Sequence, residues 1–255
     1  MCATYGLEPT MELPNYEPLF QPESQQLLEQ WMDQRSGTAK ITGRKARNLN
    51  PLITAKVSTV SDDTSSDDTA PEGERQLDLA WWWLHLGNEP AQFSAFNARD
   101  DKLLHSRVWK KPFAQHRGLA PAHWYIEKGQ RFELPGTQGF AIATIVATSH
   151  QPEGDLLSYA LVTRDAVAEA ATVHPRMPLL LPEELHDDWL DPNLHGDEEL
   201  LAEALAASES LSRQVRIADA PNDANTQHTP RANPANTQRA KAQREKARPG
   251  EATLF

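Results

Sequence analysis

Two apolar runs, residues 139–148 (GFAIATIVAT) and 156–163 (LLSYALVT), constrain this fold more than any other feature. Both are rich in β-branched and large apolar side chains, and both are bounded by polar or Gly/Pro-containing stretches, so each predicts a buried strand. Residues 55–60 and 77–86 (LDLAWWWLHL) read as further strands, and 211–217 as a last one. Helical spacing of Leu27, Leu28, Trp31 and Met32 after Pro22 predicts an amphipathic helix over 23–34. A short helix through Thr172 is predicted from a cap at Asp165, with two more over 182–190 and 197–207. Strands and helices are mixed without a βαβ rhythm, so the expectation is a single β-rich α+β domain over residues 1–217 with peripheral helices. Residues 61–73 (SDDTSSDDTAPEG) are acidic and apolar-poor, which predicts a mobile loop. From residue 218 apolar side chains almost vanish until Leu254 and Phe255, which predicts a disordered basic tail.

The net charge of −11 argues against a nucleic-acid partner only as a total. Lys40, Arg44, Lys45, Arg47 and Lys56 lie in a stretch without a single acid, and bases outnumber acids again from Arg99 to Arg131. Placement decides whether a groove attracts phosphate. No apolar run is long enough to cross a membrane, and residues 1–9 lack a basic or apolar leader pattern. The expectation is therefore a cytoplasmic monomer without a membrane partner. A single cysteine in 255 residues excludes an internal disulfide and cannot by itself build a thiolate zinc site, so no metal or cofactor is expected.

That cysteine is Cys2, directly behind the initiator methionine. Its small side chain favours removal of Met1, which would leave an α-amine and a thiol on adjacent carbons. Such a 1,2-aminothiol condenses with an aldehyde to a five-membered thiazolidine. Both nucleophiles are available near neutral pH, an α-amine titrating near ~8 and a thiol near ~8.5. Three further segments carry possible chemistry: Asn97-Ala98-Arg99, Pro121 to Glu127 (PAHWYIE), and His174-Pro175-Arg176-Met177-Pro178. Each alone is ordinary, since an Asn can cap a turn, a Glu beside Lys128 can be a surface charge, and a His before Pro is usually a loop residue.

Together and in this order the segments resemble the SOS response-associated peptidase (SRAP) family, the abasic-site shields. That family opens Met-Cys-Gly-Arg, continues with Asn-Ala-Arg and Pro-Ala-Asp-Gly-Phe-Tyr-Glu-Trp, and ends with His-x-Arg-Met-Pro after a strand pair. Asn48-Leu49-Asn50-Pro51 is similar to its Tyr-Asn-Val-Ala-Pro, and Trp82-Trp83-Leu84 to its Trp-Gly-Leu. The likeness spans residues 1–217. Ala3-Thr4 stands where the family has Gly-Arg, Lys128 follows the glutamate in place of Trp, and a tryptophan is missing from 87–92, where Phe93 or Phe96 could supply a stacking face.

The resemblance implies an enzyme acting on abasic sites in single-stranded DNA, with Cys2, Asn97, Glu127 and His174 as its catalytic set. Cys2 would attack the ring-opened aldehyde through its amine and close the thiazolidine through its thiol. Glu127 would shuttle protons, a task suited to a carboxyl partly withdrawn from water. His174 would protonate the sugar ring oxygen, and Asn97 would orient the amine or a sugar hydroxyl. Arg99, Arg107 and Arg176 are the expected phosphate contacts, positioning the strand without reading bases. The family's peptidase name further implies removal of its own Met1. Two readings compete: a single-stranded-DNA or clamp-associated protein that kept the fold and lost the chemistry, and an N-terminal-nucleophile amidohydrolase. The second lacks its Asn-Gly oxyanion motif, because the chain contains no Asn-Gly dipeptide. The terminal Leu254-Phe255, with Glu251 where a Gln is usual, resembles a peptide that docks on the replicative sliding clamp.

Overall fold

The computed structural model describes residues 2–8, 21–56, 74–136 and 138–218. The expected acidic loop at 61–73 and the basic tail with Leu254 and Phe255 lie outside the described residues.

The two apolar runs form β11 (Phe140–Gln151) and β12 (Gly154–Asp165), a long hairpin paired from Thr144↔Leu161 to Gln151↔Gly154. Around them close β3 (Leu49–Ala55), β4 (Arg75–Trp81) and β8 (Arg117–Ala122). Pairing runs β12–β4–β3–β8–β11 and returns to β12, so the five strands make a small barrel. Paired residues share a face. By register, Asn50, Leu52 and Thr54, with Ala80, Asp78 and Gln76 opposite them, therefore point to one side. Gly118, Ala120, Thr144, Tyr159 and Leu161 line the same interior. So narrow a barrel needs small residues on some strands. A Cβ on Gly118 would press on Thr144 Oγ1 and the Val146 side chain.

Strand β12 also carries β7 (Asn97–Arg99) in parallel and β13 (Arg176–Pro178) in antiparallel pairing. A second sheet packs at the mouth of the barrel, in the order β15 (Arg216–Ile217), β10 (Gln130–Glu133), β9 (Trp124–Glu127), β1 (Thr4–Gly6) and β2 (Thr38–Lys40). Tyr5 and Tyr125 are register partners and so share a face. Tyr5 meets Trp82 edge-on at 5.0 Å, and Tyr125 meets Phe140 at 6.5 Å. Gly6 is required because a Cβ there would overlap Trp124 and the Gly37 carbonyl. The opposite mouth opens on a cleft of about 370 Å³ lined by Thr54, Gln76, Asp78, Thr148 and Leu157.

The first helix, α1 (Pro22–Arg35), matches its expected span and buries Leu28 and Trp31. The shorter α2 (Asp100–Leu103), α3 (Lys110–Gln115) and α4 (His186–Leu190) are peripheral. The longest, α5 (Glu198–Gln214), starts at Asp197, whose carboxylate accepts from the Glu199 and Leu200 N–H groups. No described helix is long and apolar enough to cross a membrane.

Three expectations need correction, and a fourth, the strand placed at 55–60, falls mostly on residues 57–60, outside the described residues; the paired segment before it is Leu49–Ala55. The run 77–86 breaks after Trp81, where the chain turns and resumes as β5 (His85–Leu86), paired with β6 (Glu89–Pro90). Asp165 caps no helix: it ends β12, and residues Ala168–Thr172 form a 3₁₀ turn preceded by Val167. The final helix runs on to Gln214 through residues expected in a strand, leaving only Arg216–Ile217 extended. Its Leu200, Leu201 and Ala204 are buried, so a helical stripe overrides the local strand preference.

Candidate active site

The residues expected to act together come from three separate parts of the fold. Cys2 precedes β1, Asn97 opens β7, and Glu127 ends β9. The β1–β9 register, Thr4↔Ile126 through Gly6↔Trp124, brings the chain start alongside Glu127. Asn97 Nδ2 donates to the Cys2 carbonyl at 2.6 Å. All three side chains are buried, Cys2 at 1%, Glu127 at 5% and Asn97 at 6% exposure. The turn that follows Glu127 keeps it there. Lys128 and Gly129 both have positive φ, 51° and 79°, and Glu127 pairs with Gln130. A two-residue hairpin turn of this kind sets the register of both strands. Lys128 is thus a turn residue rather than a packing residue.

Cys2 is poorly disposed to ionise. Burial pushes its thiol up to about 12, and the neighbouring Glu127 carboxylate adds to the rise. The Sγ–H donates to the Thr4 carbonyl at 3.4 Å.

Three tyrosines and an asparagine, none of them named as a site residue from the sequence, complete this buried island. The Tyr5 and Tyr159 hydroxyls share a hydrogen bond at 2.5 Å. Tyr159 stacks on Trp82 at 6.3 Å and 8°, and it is also bonded by the Asn50 side chain. Tyr125 stacks on Phe132 at 5.0 Å and 11°. Burial raises all three phenols above their usual range, and each also feels the charge of Cys2. Every phenol therefore stays protonated at any working pH and serves as a hydrogen-bonding group. Three buried polar atoms here, Asn50 Oδ1, Asn97 Oδ1 and the Tyr125 hydroxyl, have no partner among the described residues. Natural interiors rarely leave such groups unpaired.

His174 stands two residues before β13. Its Nδ1 lies 3.0 Å from both the Arg176 backbone N–H nitrogen and the Arg176 carbonyl oxygen, which hold the ring in place. Arg176, expected as a phosphate contact, is mostly buried and paired within the fold. Its guanidinium is 8% exposed and pairs with Asp100 at 2.5 Å and Asp165 at 2.6 Å. It also donates to the Thr163 carbonyl. A guanidinium so engaged ties α2, β12 and β13 together beneath the surface. Arg99 is half exposed and held by Asp101 at 2.9 Å, while Arg107 is exposed. Phe93 is 45% exposed beside Trp109, whereas Phe96 packs on Trp82 and Trp83. Of the two, Phe93 alone presents a large exposed ring. No cluster of metal-binding side chains occurs among the described residues.

The same architecture occurs in solved structures. A protein from Bacteroides thetaiotaomicron superposes with a TM-score of 0.54 at 15% identity, over 87% of this chain and 93% of that one. A phage-related protein from Bordetella bronchiseptica gives 0.51 at 18% identity, over 86% and 93%. Among curated proteins, the abasic site processing protein YoqW of Bacillus subtilis (strain 168) is 26% identical over 115 residues, covering 41% of this chain and 51% of the relative. The abasic site processing protein YobE of the same organism is also 26% identical over 115 residues, covering 41% and 52%. The chain thus spans about half the length of the curated relatives it matches. The family model for SOS response associated peptidase (SRAP) matches residues 19–217, taking in the barrel strands and the segments that hold Asn97, Glu127 and His174. With that match over most of its length, the chain belongs to the SRAP family.

Proposed function

We propose that this protein recognises abasic sites in single-stranded DNA and bonds to them covalently through Cys2, once Met1 has been removed. The observation that carries the reading is the convergence of Cys2, Asn97 and Glu127 in one buried cluster, with Asn97 holding the Cys2 carbonyl at 2.6 Å. An asparagine fixing the backbone of the second residue aims whatever the chain start carries. The relatives' names, abasic site processing proteins, supply the substrate class.

The chemistry balances without a cofactor. The Cys2 amine attacks the aldehyde carbon, a C–N bond forms, and the carbonyl π pair moves to oxygen. Glu127 carries the two amine protons to that oxygen in turn: the first gives the carbinolamine hydroxyl, and the second lets it leave as water while the nitrogen lone pair forms the imine. The Cys2 sulfur then bonds to the imine carbon while its proton passes to nitrogen, closing the thiazolidine. A thiol raised to about 12 is a poor nucleophile towards free reagents, with a thiolate fraction on the order of 10⁻⁴ at pH 8. Ring closure within one residue offsets this, since effective molarities of well-oriented intramolecular steps reach ~10⁵–10⁸ M. Amine first and thiol second is thus the order that the buried sulfur favours. His174 is the donor for opening the sugar ring. Arg99 and Arg107 approach phosphate, and Phe93 offers a face on which an unpaired base stacks.

The test is incubation with single-stranded DNA bearing one abasic site, followed by denaturing electrophoresis. A stable adduct is expected from the wild type, none from Cys2→Ala, and slowed formation from Glu127→Ala. Absence of a wild-type adduct overturns the reading and leaves DNA binding without bond formation. An adduct that survives Cys2→Ala moves the linkage to a lysine.

A further inference from the structure

The polar island around Cys2 contains three hydroxyls that the mechanism above does not use, and only that of Tyr125 has no hydrogen-bond partner among the described residues. Tyr125 lies two residues before Glu127 on β9, so both side chains project from the same face of the strand. Opposite it in register is Tyr5, which leads to Tyr159 and the barrel interior. The Tyr125 ring is fixed by Phe132 on one side and Phe140 on the other, so the hydroxyl cannot swing out to water. That hydroxyl is buried and has no hydrogen-bond partner among the described residues. It lies within electrostatic reach of Cys2 and Glu127.

The neighbouring polar groups are held by contacts within the fold. Asn97 Nδ2 donates to the Cys2 carbonyl, Asn50 Nδ2 to the Asn48 carbonyl at 2.9 Å, and one of the Tyr5 and Tyr159 hydroxyls to the other. Glu127, when ionised, can only accept. An aldehyde oxygen reaching this cluster develops negative charge as the amine attacks and needs a donor that is already in place. A purely structural residue at this position would be phenylalanine, which fills the same stack without stranding a hydroxyl.

We propose that the Tyr125 hydroxyl is a further catalytic group, donating a hydrogen bond to the substrate's carbonyl oxygen as it becomes the carbinolamine hydroxyl. Tyr125 keeps its own proton throughout. Protons move through Glu127, and the phenol contributes a fixed dipole. The inference rests on the reading under Proposed function and adds to it the donor for the oxygen that departs.

The test is Tyr125→Phe, which preserves the stacking. Thermal unfolding is measured beside the rate of adduct formation at saturating abasic single-stranded DNA, with noncovalent affinity measured on a strand carrying a non-reactive abasic analogue. Tyr125→Phe is expected to melt no lower than the wild type, to bind the analogue equally, and to form adduct at least tenfold more slowly. An adduct rate within twofold of the wild type overturns the assignment while leaving the proposed function intact. A wild type that forms no adduct overturns both. Tyr5→Phe serves as comparison: it is expected to lower the melting temperature, because it breaks the hydroxyl pair with Tyr159.

Discussion

Replacing Arg176 by methionine separates two roles that the sequence alone leaves indistinguishable. As a phosphate contact, its loss would weaken DNA binding and spare the fold. As the buried clamp seen between Asp100, Asp165 and the Thr163 carbonyl, its loss should unfold the protein more readily. The magnitude follows from the exposure of each partner. Asp165 is 88% exposed, so its pair contributes about 0.5 kcal/mol at most. The Asp100 side chain is 15% exposed, and removing the cation leaves its carboxylate short of a partner in poorly hydrated surroundings, at about 3 kcal/mol. The Thr163 carbonyl, a buried acceptor losing a charged donor, adds about 1 kcal/mol. Arg176→Met should therefore cost about 4 kcal/mol, a melting temperature lower by roughly 10 °C for a folded region of this size. Urea unfolding followed by tryptophan fluorescence measures it, and Asp100→Asn in the same background should recover ~1–2 kcal/mol by removing the stranded charge. The salt dependence of binding to single-stranded DNA supplies the opposing readout. Each lost phosphate contact lowers the slope of log K against log salt by ~0.7. Stability within about 1 kcal/mol of wild type together with a reduced slope would refute the clamp and restore Arg176 to the DNA interface.

Other consequences are independent of that one. While Met1 is retained, Cys2 should alkylate with iodoacetamide at pH 8 about 10³-fold more slowly than an ordinary thiol, because its thiolate fraction is depressed by burial; labelling within tenfold of free cysteine, read by mass spectrometry, contradicts this. Burial lowers the His186 imidazole from 6.5 to about 4, so the unfolded chain binds the extra proton in that window and stability falls as pH drops through it. The loss attributable to His186 is up to about 3 kcal/mol. His186→Gln, which keeps a donor for the Leu181 carbonyl bonded at 3.1 Å, should flatten the curve between pH 6.5 and 4.5, and an unchanged curve is the refuting result. Arg117 donates to the carbonyls of Trp189, Phe113, Ala114, Asp191 and Leu194, joining β8 to α3 and α4. Arg117→Lys cannot reproduce that planar fork and should cost about 2–4 kcal/mol in urea unfolding.

How far the site could be read in one dimension depended on the kind of signal each residue carries. Asn97, Glu127 and Cys2 stand in short segments whose order resembles a family, and the fold brings all three together. The long strands were legible because they are buried on both faces, which writes a continuous apolar run; β8, with its Gly-Leu-Ala-Pro-Ala, was not, because a narrow barrel wants small residues where a strand reading wants bulky ones. Tyr5, Tyr125 and Tyr159 illustrate a harder limit. Each sits on a strand among aromatic neighbours, where a tyrosine is indistinguishable from core until its hydroxyl is located. Two of those hydroxyls share a hydrogen bond, and the third has no partner among the described residues, a difference that depends on pairings 154 residues apart in the case of Tyr5 and Tyr159. Hydrogen-bond satisfaction is a property of the assembled interior, so periodicity cannot report it. The same reasoning applies to Arg176, whose motif marks it as important while only the burial of Asp100 decides for what. A motif therefore nominates residues, and the balance of burial against available partners assigns them. At this site that balance makes Arg176 part of the frame and leaves the Tyr125 hydroxyl facing the substrate.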